Sequence, residues 1–445
     1  MSGAGRIADF ALRTVNDGVP DDVLAAARLH FLDAIGVGIA ASTVADNSTW
    51  SQAATPGNAS LLGGGTAEAG AAAMINGALI HALEYDDTHI GSVVHGSAFA
   101  APLALAVTQL CAATGRDLIR AYIVAWEVAI RIGMAGPGAF QAKGFQVTSI
   151  GGAIGAAAAA SRIMGLDRQQ TISAIGIAGG QASGTLAFLA DGAMSKALNP
   201  GWAARTGIES PRLAAAGMTG PESVLESRFG VMNAFGNGAD DLDRHLANLG
   251  DEWFLSEAAF KLYPCCHYIH PFLEAVEGIM AQGIDAEDIV KLTAFVPPPA
   301  APLVCEPWER RQEPASGYDG KWGLAYCMAL MFMQGRVDVA SFESQPRDDV
   351  IALAKRMDWQ PMQDHGFPNR FAARIEIHTK RGPVNAEVVQ VRGAPDRPVD
   401  KSAIVAKFTG NAARRLDAAT AEQLMEIILN IDTMSDTGDL AGVLA

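Results

Sequence analysis

Apolar residues recur at helical spacing through the first part of the chain, from about residue 5 to residue 260. Residues 23–40 begin Val-Leu-Ala-Ala-Ala-Arg-Leu-His-Phe-Leu-Asp-Ala-Ile, so apolar side chains stand three and four positions apart, as on one face of a helix. Alternation with a period of two, which is typical of strands, is almost absent here. Asp167 is a residue type that caps helix N-termini. We predict an all-helical region with helices at residues 23–40, 71–83, 98–114, 118–134, 151–164 and 168–179.

The pattern changes near residue 285. Residues 289–296 alternate and then meet three prolines, while residues 373–379 and 384–391 alternate on either side of Lys-Arg-Gly-Pro, a suitable hairpin connection. Residues 322–333 and 348–355 have helical spacing, and the tail from residue 400 to 429 returns to it. We therefore predict a mainly α fold with a smaller α+β domain. The predicted domains are an all-helical domain at residues 1–265, an α+β domain at residues 266–399, and C-terminal helices at 400–445 that pack back on the first.

Composition and charge narrow the class of protein. Of the 445 residues, 49% are hydrophobic and 18% charged, which is a globular composition. The net charge of −15 and the lack of any Lys/Arg run argue against a nucleic-acid surface, although a local basic pocket is compatible with a small anionic substrate. The five cysteines are odd in number and scattered, unlike a disulfide framework. There is no signal-peptide pattern, and the apolar stretches near residues 98–113 and 151–160 do not reach about 20 strongly apolar residues. We therefore expect a cytoplasmic protein without a membrane partner.

A cluster of acidic, hydroxyl and imidazole side chains follows the predicted helix at residues 71–83. Such a cluster indicates either acid–base chemistry or polar groups that cap a helix C-terminus. A metal site is less favoured, because His89 and His95 are not at an i, i+4 spacing and no cysteine or second carboxylate pair completes a ligand set. We predict no metal and no cofactor. The cluster consists of Glu84, Asp86, Asp87, Thr88, His89 and His95.

Other segments offer cationic and phenolic groups. Lys261 and His267, in Lys-Leu-Tyr-Pro-Cys-Cys-His-Tyr-Ile-His-Pro, are candidate donors to a carboxylate. The alternative for this segment is buried cysteines before a helix that starts near His270. Lys196 stands before a Pro-Gly turn, and Tyr326 lies inside an apolar run. Taken alone, the first would be a solvated lysine and the second a core tyrosine.

Taken together and in this order, these motifs resemble the MmgE/PrpD family across nearly the whole chain. The motifs are Asn-Gly…His-Ala…Asp-Asp-Thr-His…His-x-Ser, Lys-Gly-Phe, Ser-Lys…Pro-Gly, Lys-x-Tyr-Pro-Cys-Cys-x-x-x-His-Pro and Lys-x-x-x-x-Tyr. The family includes 2-methylcitrate dehydratase, cis-aconitate decarboxylase and iminodisuccinate epimerase. The resemblance implies a large helical domain, a smaller α+β domain, a homodimer, and cofactor-independent proton transfer on a small polycarboxylic acid.

The resemblance also implies roles for the candidate residues. His95 becomes the candidate proton shuttle, Lys196 and Lys261 the carboxylate anchors, and Thr88 and Tyr326 the donors or acids. The resulting catalytic set is His95, Lys196, Tyr326, Thr88 and Asp86. The substrate-binding set is Glu84, Asp87, His89, Gln146, Lys261 and His267.

Three positions depart from the family pattern. Glu84 stands where aspartate is usual, and Gln146 and Asn199 stand where close relatives of cis-aconitate decarboxylase have histidine. Amides hydrogen-bond but do not titrate near neutral pH, so the specific reaction is open. We rank a dehydratase first, an epimerase or isomerase second and a decarboxylase third. A carboxylate-binding protein without activity is the alternative of another class, and a purely structural His95 is the alternative for the shuttle.

Overall fold

The chain crosses between two compact units more than once. The computed structural model describes residues 1–13, 18–190, 193–368 and 370–444. The helical unit comprises Met1–Ala82, Asp86–Ala258 and Asp400–Ala445, and the mixed unit comprises Leu83–Tyr85 and Ala259–Val399. A mainly α protein with a smaller α+β part is thus confirmed. The division differs in detail from the predicted boundary after residue 265, because residues 259–265 and the three residues after the third helix pack within the mixed unit.

The predicted helices of the first region are all present, with ends shifted by a few residues. The Asp167 cap is also confirmed, since its carboxylate accepts a 2.8 Å hydrogen bond from the Gln170 amide. Prediction missed the first helix, three short helices of four or five residues, and the helix Leu198–Ala215. The Asn-Pro-Gly start and internal Pro211 of that last helix obscure its helical pattern. The helices of this part are α1 (Gly3–Arg13), α2 (Asp21–Ala41), α3 (Ala69–Ala82), α4 (Ser97–Cys111), α5 (Gly115–Met134), α6 (Ala139–Ala142), α7 (Val147–Ile163), α8 (Arg168–Gln181), α9 (Leu198–Ala215), α10 (Val231–Phe235) and α11 (Leu242–Leu246). Two short antiparallel strands, β1 (Ala59–Ser60) and β2 (Thr66–Ala67), precede α3.

Helix α2 is long and apolar enough to cross a membrane by length and composition, and it alone passes that test in the described part of the chain. Inside the protein, 72% of its apolar window is buried. Its buried residues run almost continuously from His30 to Ala41, so the helix is apolar around most of its circumference. That is the pattern of a core helix with neighbours on several sides.

Glycines allow helices to approach closely where the polar cluster begins. Gly77 of α3 faces Gly201 of α9, and a Cβ added at Gly77 would lie 2.6 Å from the Gly201 Cα. A Cβ added at Gly201 would overlap the Met74 carbonyl oxygen, and one at Gly96 would overlap the Trp126 ring. The Pro-Gly motif therefore brings the start of α9 against α3, and Gly96 brings α4 against α5.

The mixed unit is built on a four-stranded sheet in the order β4-β3-β5-β6, with β3 and β4 parallel and the other pairs antiparallel. The predicted hairpin is confirmed, because Thr379 pairs with Gly382 across a two-residue turn. Strand β4 was not predicted, and β6 ends at Val388 instead of residue 391. The elements are α12 (His270–Met280), β3 (Ile289–Val296), α13 (Ala301–Val304), α14 (Trp308–Gln312), α15 (Gly317–Gly320), α16 (Leu324–Gln334), α17 (Asp348–Ala354), β4 (Met357–Pro361), β5 (Ala373–Thr379) and β6 (Gly382–Val388).

The C-terminal segment returns to the helical unit as α18 (Lys401–Ala412), α19 (Ala418–Leu429) and α20 (Gly438–Leu444). Helix α18 packs on α2, where Phe408 is buried over Gly36. Beside it, the Lys407 Nζ lies 2.9 Å from one carboxylate oxygen of Asp33 and 2.8 Å from the other. Burial raises the pKa of Asp33 to about 6, although Lys407 acts in the opposite direction.

Replacement of Gly201 by alanine is expected to lower the free energy of unfolding by about 1–3 kcal/mol, the usual cost of forcing an extra methyl group into a packed site. Urea unfolding measures this difference. Gly410→Ala on α18 is the matched control, because nothing lies within 4 Å of the added carbon. The control should be neutral or stabilising by up to about 1 kcal/mol, since alanine is the better helix former. Equal unfolding free energies for Gly201→Ala and wild type would contradict the close crossing.

Candidate active site

Asp86 is the centre of a buried acid–base cluster in the loop between α3 and α4. Its Oδ2 lies 2.7 Å from Nδ1 of His81 and 3.4 Å from Nδ1 of His95. Asp86 is fully buried, whereas the His95 side chain keeps 15% of its surface exposed. Thr88 places its Oγ1 3.1 Å from the same His95 nitrogen. The backbone amide of His95 donates to the Thr148 hydroxyl of α7 at 3.0 Å, which fixes the position of the imidazole.

The charge of Asp86 is set by its neighbours. Burial acts to raise the pKa of this carboxyl, but His81 and His95 outweigh burial and hold the pKa well below its ordinary value. An ionised Asp86 favours a hydrogen on Nδ1 of both imidazoles, which places the basic lone pair of His95 on Nε2. This carboxylate–histidine arrangement orients an imidazole and stabilises its protonated form.

A chain of side-chain amides contacts the second ring nitrogen of His81. Asn199 Nδ2 donates to Gln146 Oε1 at 2.9 Å, and Gln146 Nε2 lies 3.0 Å from His81 Nε2. Because this amide nitrogen can only donate, Nε2 of His81 accepts, and its Nδ1 faces Asp86. The amide assignment follows from Asn199, whose Nδ2 also donates to the Thr185 carbonyl oxygen at 3.4 Å. The His81 side chain has no exposed surface, so His95 is the imidazole of this cluster that a substrate is able to reach.

The neighbouring loop residues have structural contacts. Asp87 Oδ2 lies 2.8 Å from His30 Nδ1 and 2.5 Å from the Ser97 hydroxyl, and Oδ1 accepts from the Ser97 amide at 3.2 Å. His89 Nδ1 accepts from the Ser92 amide at 3.2 Å within a tight turn. The sequence assigned both Asp87 and His89 to substrate binding. In the structure, both contact other residues of the helical unit, and their assignment to substrate binding stays a prediction.

Lys196, the remaining candidate of the helical unit, lies in the short 3₁₀ turn Met194–Ala197 directly before α9. It is 6% exposed, so it is not the solvated lysine that its sequence context alone would suggest. The close crossing of α3 and α9 fixes this turn.

The mixed unit holds the other predicted site residues. Lys261 Nζ donates to the carbonyl oxygen of Glu84 at 3.2 Å and lies 3.9 Å from its carboxylate. Tyr326 of α16 accepts a 3.3 Å hydrogen bond from the Arg347 amide, and burial raises the pKa of its phenol, which stays a donor. His267 is buried and its ring packs edge to face against His270.

The structure therefore brings Asp86, Thr88, His95 and Gln146 together in the helical unit, and Glu84 and Lys261 together in the mixed unit. Lys196 lies in the turn before α9 of the helical unit, and Tyr326 and His267 lie elsewhere in the mixed unit. Prediction missed His81, since a histidine inside an apolar helix is usually a core residue. Its signal was the motif His-Ala, five residues before Asp86.

The same cluster holds the group of three described side chains that could bind a metal ion. His81, Asp86 and His95 each offer a ligand atom, and these atoms lie within 4.8 Å of one another. Here they contact each other directly, and a metal ion would have to displace the Nδ1 hydrogens of both histidines. Activity is therefore expected to persist unchanged in excess chelator, measured as initial rates with and without EDTA. Loss with EDTA and recovery with one divalent ion would overturn this expectation.

A mainly helical protein with a buried carboxylate–histidine centre is the class that these observations define. Residues 5–242 match the MmgE/PrpD N-terminal domain and residues 263–433 match the MmgE/PrpD C-terminal domain, so the chain belongs to the MmgE/PrpD family.

Similar proteins are decarboxylases by name. A cis-aconitate decarboxylase from Aspergillus terreus is 28% identical over 98% of this chain and 95% of its own length. A cis-aconitate decarboxylase-like protein, oryM, from Aspergillus oryzae is 27% identical over 96% of this chain and 94% of its own. The human cis-aconitate decarboxylase is 26% identical over 84% of this chain and 79% of its own length.

Proposed function

We propose that this protein is a cofactor-independent lyase that moves a proton on a carbon next to a carboxylate in a small di- or tricarboxylic acid. The observation that carries the proposal is the contact of His95 with ionised Asp86 and with Thr88. Decarboxylation of a cis-aconitate-like acid is our first candidate. Dehydration, which the sequence analysis placed first, is the second, and epimerisation is the third.

Two observations support decarboxylation over dehydration. The similar proteins are named cis-aconitate decarboxylases. In the cluster of the helical unit, Asp86 stays ionised, the His81 side chain has no exposed surface, and amides do not titrate. His95, with 15% of its side chain exposed, is then the member of that cluster placed to deliver a proton, and decarboxylation needs one proton on carbon. Dehydration needs a proton removed from carbon and another given to the departing oxygen.

His95 acts as follows in this proposal. When the bond between carbon and the departing carboxylate breaks, its electron pair is delocalised into the adjacent unsaturated acid, and carbon dioxide leaves. Protonated His95 then gives its Nε2 proton to carbon, and Asp86 stabilises the imidazolium before that step. Lys196 and Lys261 are the proposed anchors of the remaining carboxylates, and Thr88 and Tyr326 are proposed hydrogen-bond donors.

Proton NMR in heavy water tests the reaction class. The enzyme is incubated separately with cis-aconitate, 2-methylcitrate and iminodisuccinate, and products are followed with time. Decarboxylation of cis-aconitate with one deuterium on the new carbon–hydrogen bond is the expected result. Loss of hydroxyl from 2-methylcitrate would favour the dehydratase, and exchange without net conversion would favour the epimerase. Binding shifts without exchange or product would identify a carboxylate-binding protein.

We also propose that the protein is a homodimer held through the helical unit. A cleft of about 490 Å³, lined almost wholly by apolar atoms, opens beside the start of α9. Met194, Leu198 and Trp202 line it and keep 42%, 42% and 44% of their surface exposed. Exposed apolar patches of this kind mark interaction surfaces.

Light scattering at micromolar concentration is expected to give the mass of a dimer for wild type and of a monomer for Trp202→Glu, because a carboxylate at the cleft cannot be buried without a partner. Phe229→Glu is the matched control. Phe229 is 86% exposed and is not among the residues that line the cleft, so this variant should stay dimeric. A monomeric wild type, or a dimeric Trp202→Glu, would disprove the proposed interface.

A further inference from the structure

The chain enters the mixed unit for three residues directly after α3, and its middle residue has an unusual backbone. Leu83–Tyr85 belongs to the mixed unit, while Ala82 and Asp86 on either side belong to the helical unit. Glu84 has φ of 55°, in the left-handed region that residues other than glycine seldom adopt. Such a conformation persists when surrounding contacts impose it, and it is more frequent at functional sites.

Two buried lysines supply those contacts. Lys321 Nζ donates to the carbonyl oxygen of Leu83 at 2.9 Å and to that of Pro264 at 3.0 Å. Lys261 Nζ donates to the next carbonyl, that of Glu84, at 3.2 Å. Successive carbonyls on either side of the left-handed residue are therefore each held by an ammonium group. The Tyr85 hydroxyl adds a 3.2 Å bond to the Leu262 carbonyl.

The contacts of Lys321 distinguish it from a substrate anchor. Its side chain is 4% exposed, and its Nζ also lies 4.7 Å from the centre of the Phe342 ring. An ammonium group has three donors, and two carbonyls and an aromatic face occupy their directions. Lys321 therefore acts on the backbone of Leu83–Tyr85 and not on a bound molecule.

Burying the ammonium group of Lys321 costs desolvation free energy. Burial lowers the pKa of Lys321 to about 8, even though Glu84, Cys265 and Cys327 act to raise it. A neutral apolar side chain would avoid this desolvation, so stability alone does not account for a charged group at this position. The geometry does account for it, because a charged donor binds carbonyl oxygens more strongly than a neutral one.

We propose that Lys321 is a positioning residue which, together with Lys261, holds the left-handed turn at Glu84 and so fixes the Glu84 carboxylate for substrate recognition. This inference rests on the proposed function for its link to catalysis, since Glu84 belongs to the predicted substrate-binding set. Glu84 then orders the substrate, for example by accepting a hydrogen bond from a substrate carboxyl or hydroxyl group. The same turn leads the chain into Asp86, two residues further on.

The test compares Lys321→Met with wild type by two independent measurements. Steady-state kinetics should show KM raised about tenfold, the cost of one lost substrate contact, with kcat within about threefold. Hydrogen–deuterium exchange, followed by mass spectrometry, should be faster in the peptide that covers residues 83–87. Arg392→Met is the control: it removes a cation that binds Tyr263 and Glu277 in the same unit, and should leave KM and this exchange unchanged.

Each other outcome overturns the inference. A raised KM with unchanged exchange would mean that Lys321 itself binds substrate. Faster exchange with unchanged KM would mean that the turn does not position Glu84 for recognition. If wild type converts no polycarboxylate, the proposed function fails, yet the turn is still tested by a double-mutant cycle with Glu84→Gly. Glycine adopts the left-handed conformation freely, so Lys321→Met should lower Tm less in that background than in wild type. Equal losses of Tm in the two backgrounds would refute the proposal that Lys321 holds the left-handed turn at Glu84.

Discussion

Replacement of His95 by alanine is expected to lower kcat by about 10²–10⁴-fold, the usual contribution of a positioned general acid or base. The cause is the loss of the one imidazole in the cluster that a substrate is able to reach, since the His81 side chain has no exposed surface. Substrate affinity should change little, because His95 exchanges a proton and does not anchor a carboxylate. Steady-state kinetics on protein of measured folded fraction gives kcat and KM separately.

His30→Ala is the matched control for this experiment. His30 is also a buried imidazole that contacts a carboxylate, with Nδ1 2.8 Å from Asp87, but it lies on α2 and is not in the proposed machinery. Its loss should lower Tm and leave the turnover of the folded fraction near wild type. If His95→Ala behaves in the same way, His95 is a structural histidine and the proton shuttle is another residue.

Replacement of Asp86 by asparagine is expected to cost about 10²–10⁴-fold in kcat, since an amide does not orient and stabilise a protonated imidazole as a carboxylate does. The alkaline limb of the pH profile of kcat/KM, where activity falls as His95 loses its proton, should move to lower pH, because the charge that favours imidazolium is gone. A kcat within threefold of wild type would exclude a role for Asp86 in orienting the shuttle.

The Asp86→Asn variant should also change how the free energy of unfolding depends on pH. Because the pKa of Asp86 is lowered on folding, its ionisation contributes stability above the unfolded pKa, near 3.9, and that contribution is lost as pH falls through the folded pKa. The part of the unfolding free-energy difference between wild type and Asp86→Asn that comes from this ionisation should therefore be fully present above about pH 5 and shrink in acid. Asp87→Asn is the control, and it should lower stability without moving the kinetic limb.

Helical spacing was sufficient to predict most of the fold. Apart from the four-residue α6, the helices from α2 to α8 carry long apolar patterns, and the period of such a pattern can be read from the sequence alone. Helix α9 was not predicted because its Asn-Pro-Gly start is typical of a turn. Gly201 is needed for the close contact with α3, and that contact cannot be seen in the sequence. Strand β4 reads Met-Asp-Trp-Gln-Pro, at the edge of the sheet, and such a short polar segment has no clear alternation.

The site was predictable in its residues but not in its connections. The motif located Asp86, Thr88 and His95, and the structure places them in contact. It did not give a role to His81, which the fold brings to the same carboxylate oxygen as His95. The departures at Gln146 and Asn199 read as losses of two titratable groups. In three dimensions they form the bonds that define the tautomer of His81.

The packing of α18 on α2 has a consequence for the folding of the chain during its synthesis on the ribosome. Asp33 and Lys407 are 374 positions apart, so at about 5–20 residues per second the ribosome completes α18 roughly 20–75 s after α2. Until then the apolar surface around Gly36 lacks Phe408, and the Asp33 carboxylate lacks its cation. The helical unit therefore completes its packing only near the end of translation. Throughout the synthesis of the mixed unit, the nascent chain exposes to chaperones an apolar surface and a carboxylate that lacks its cation.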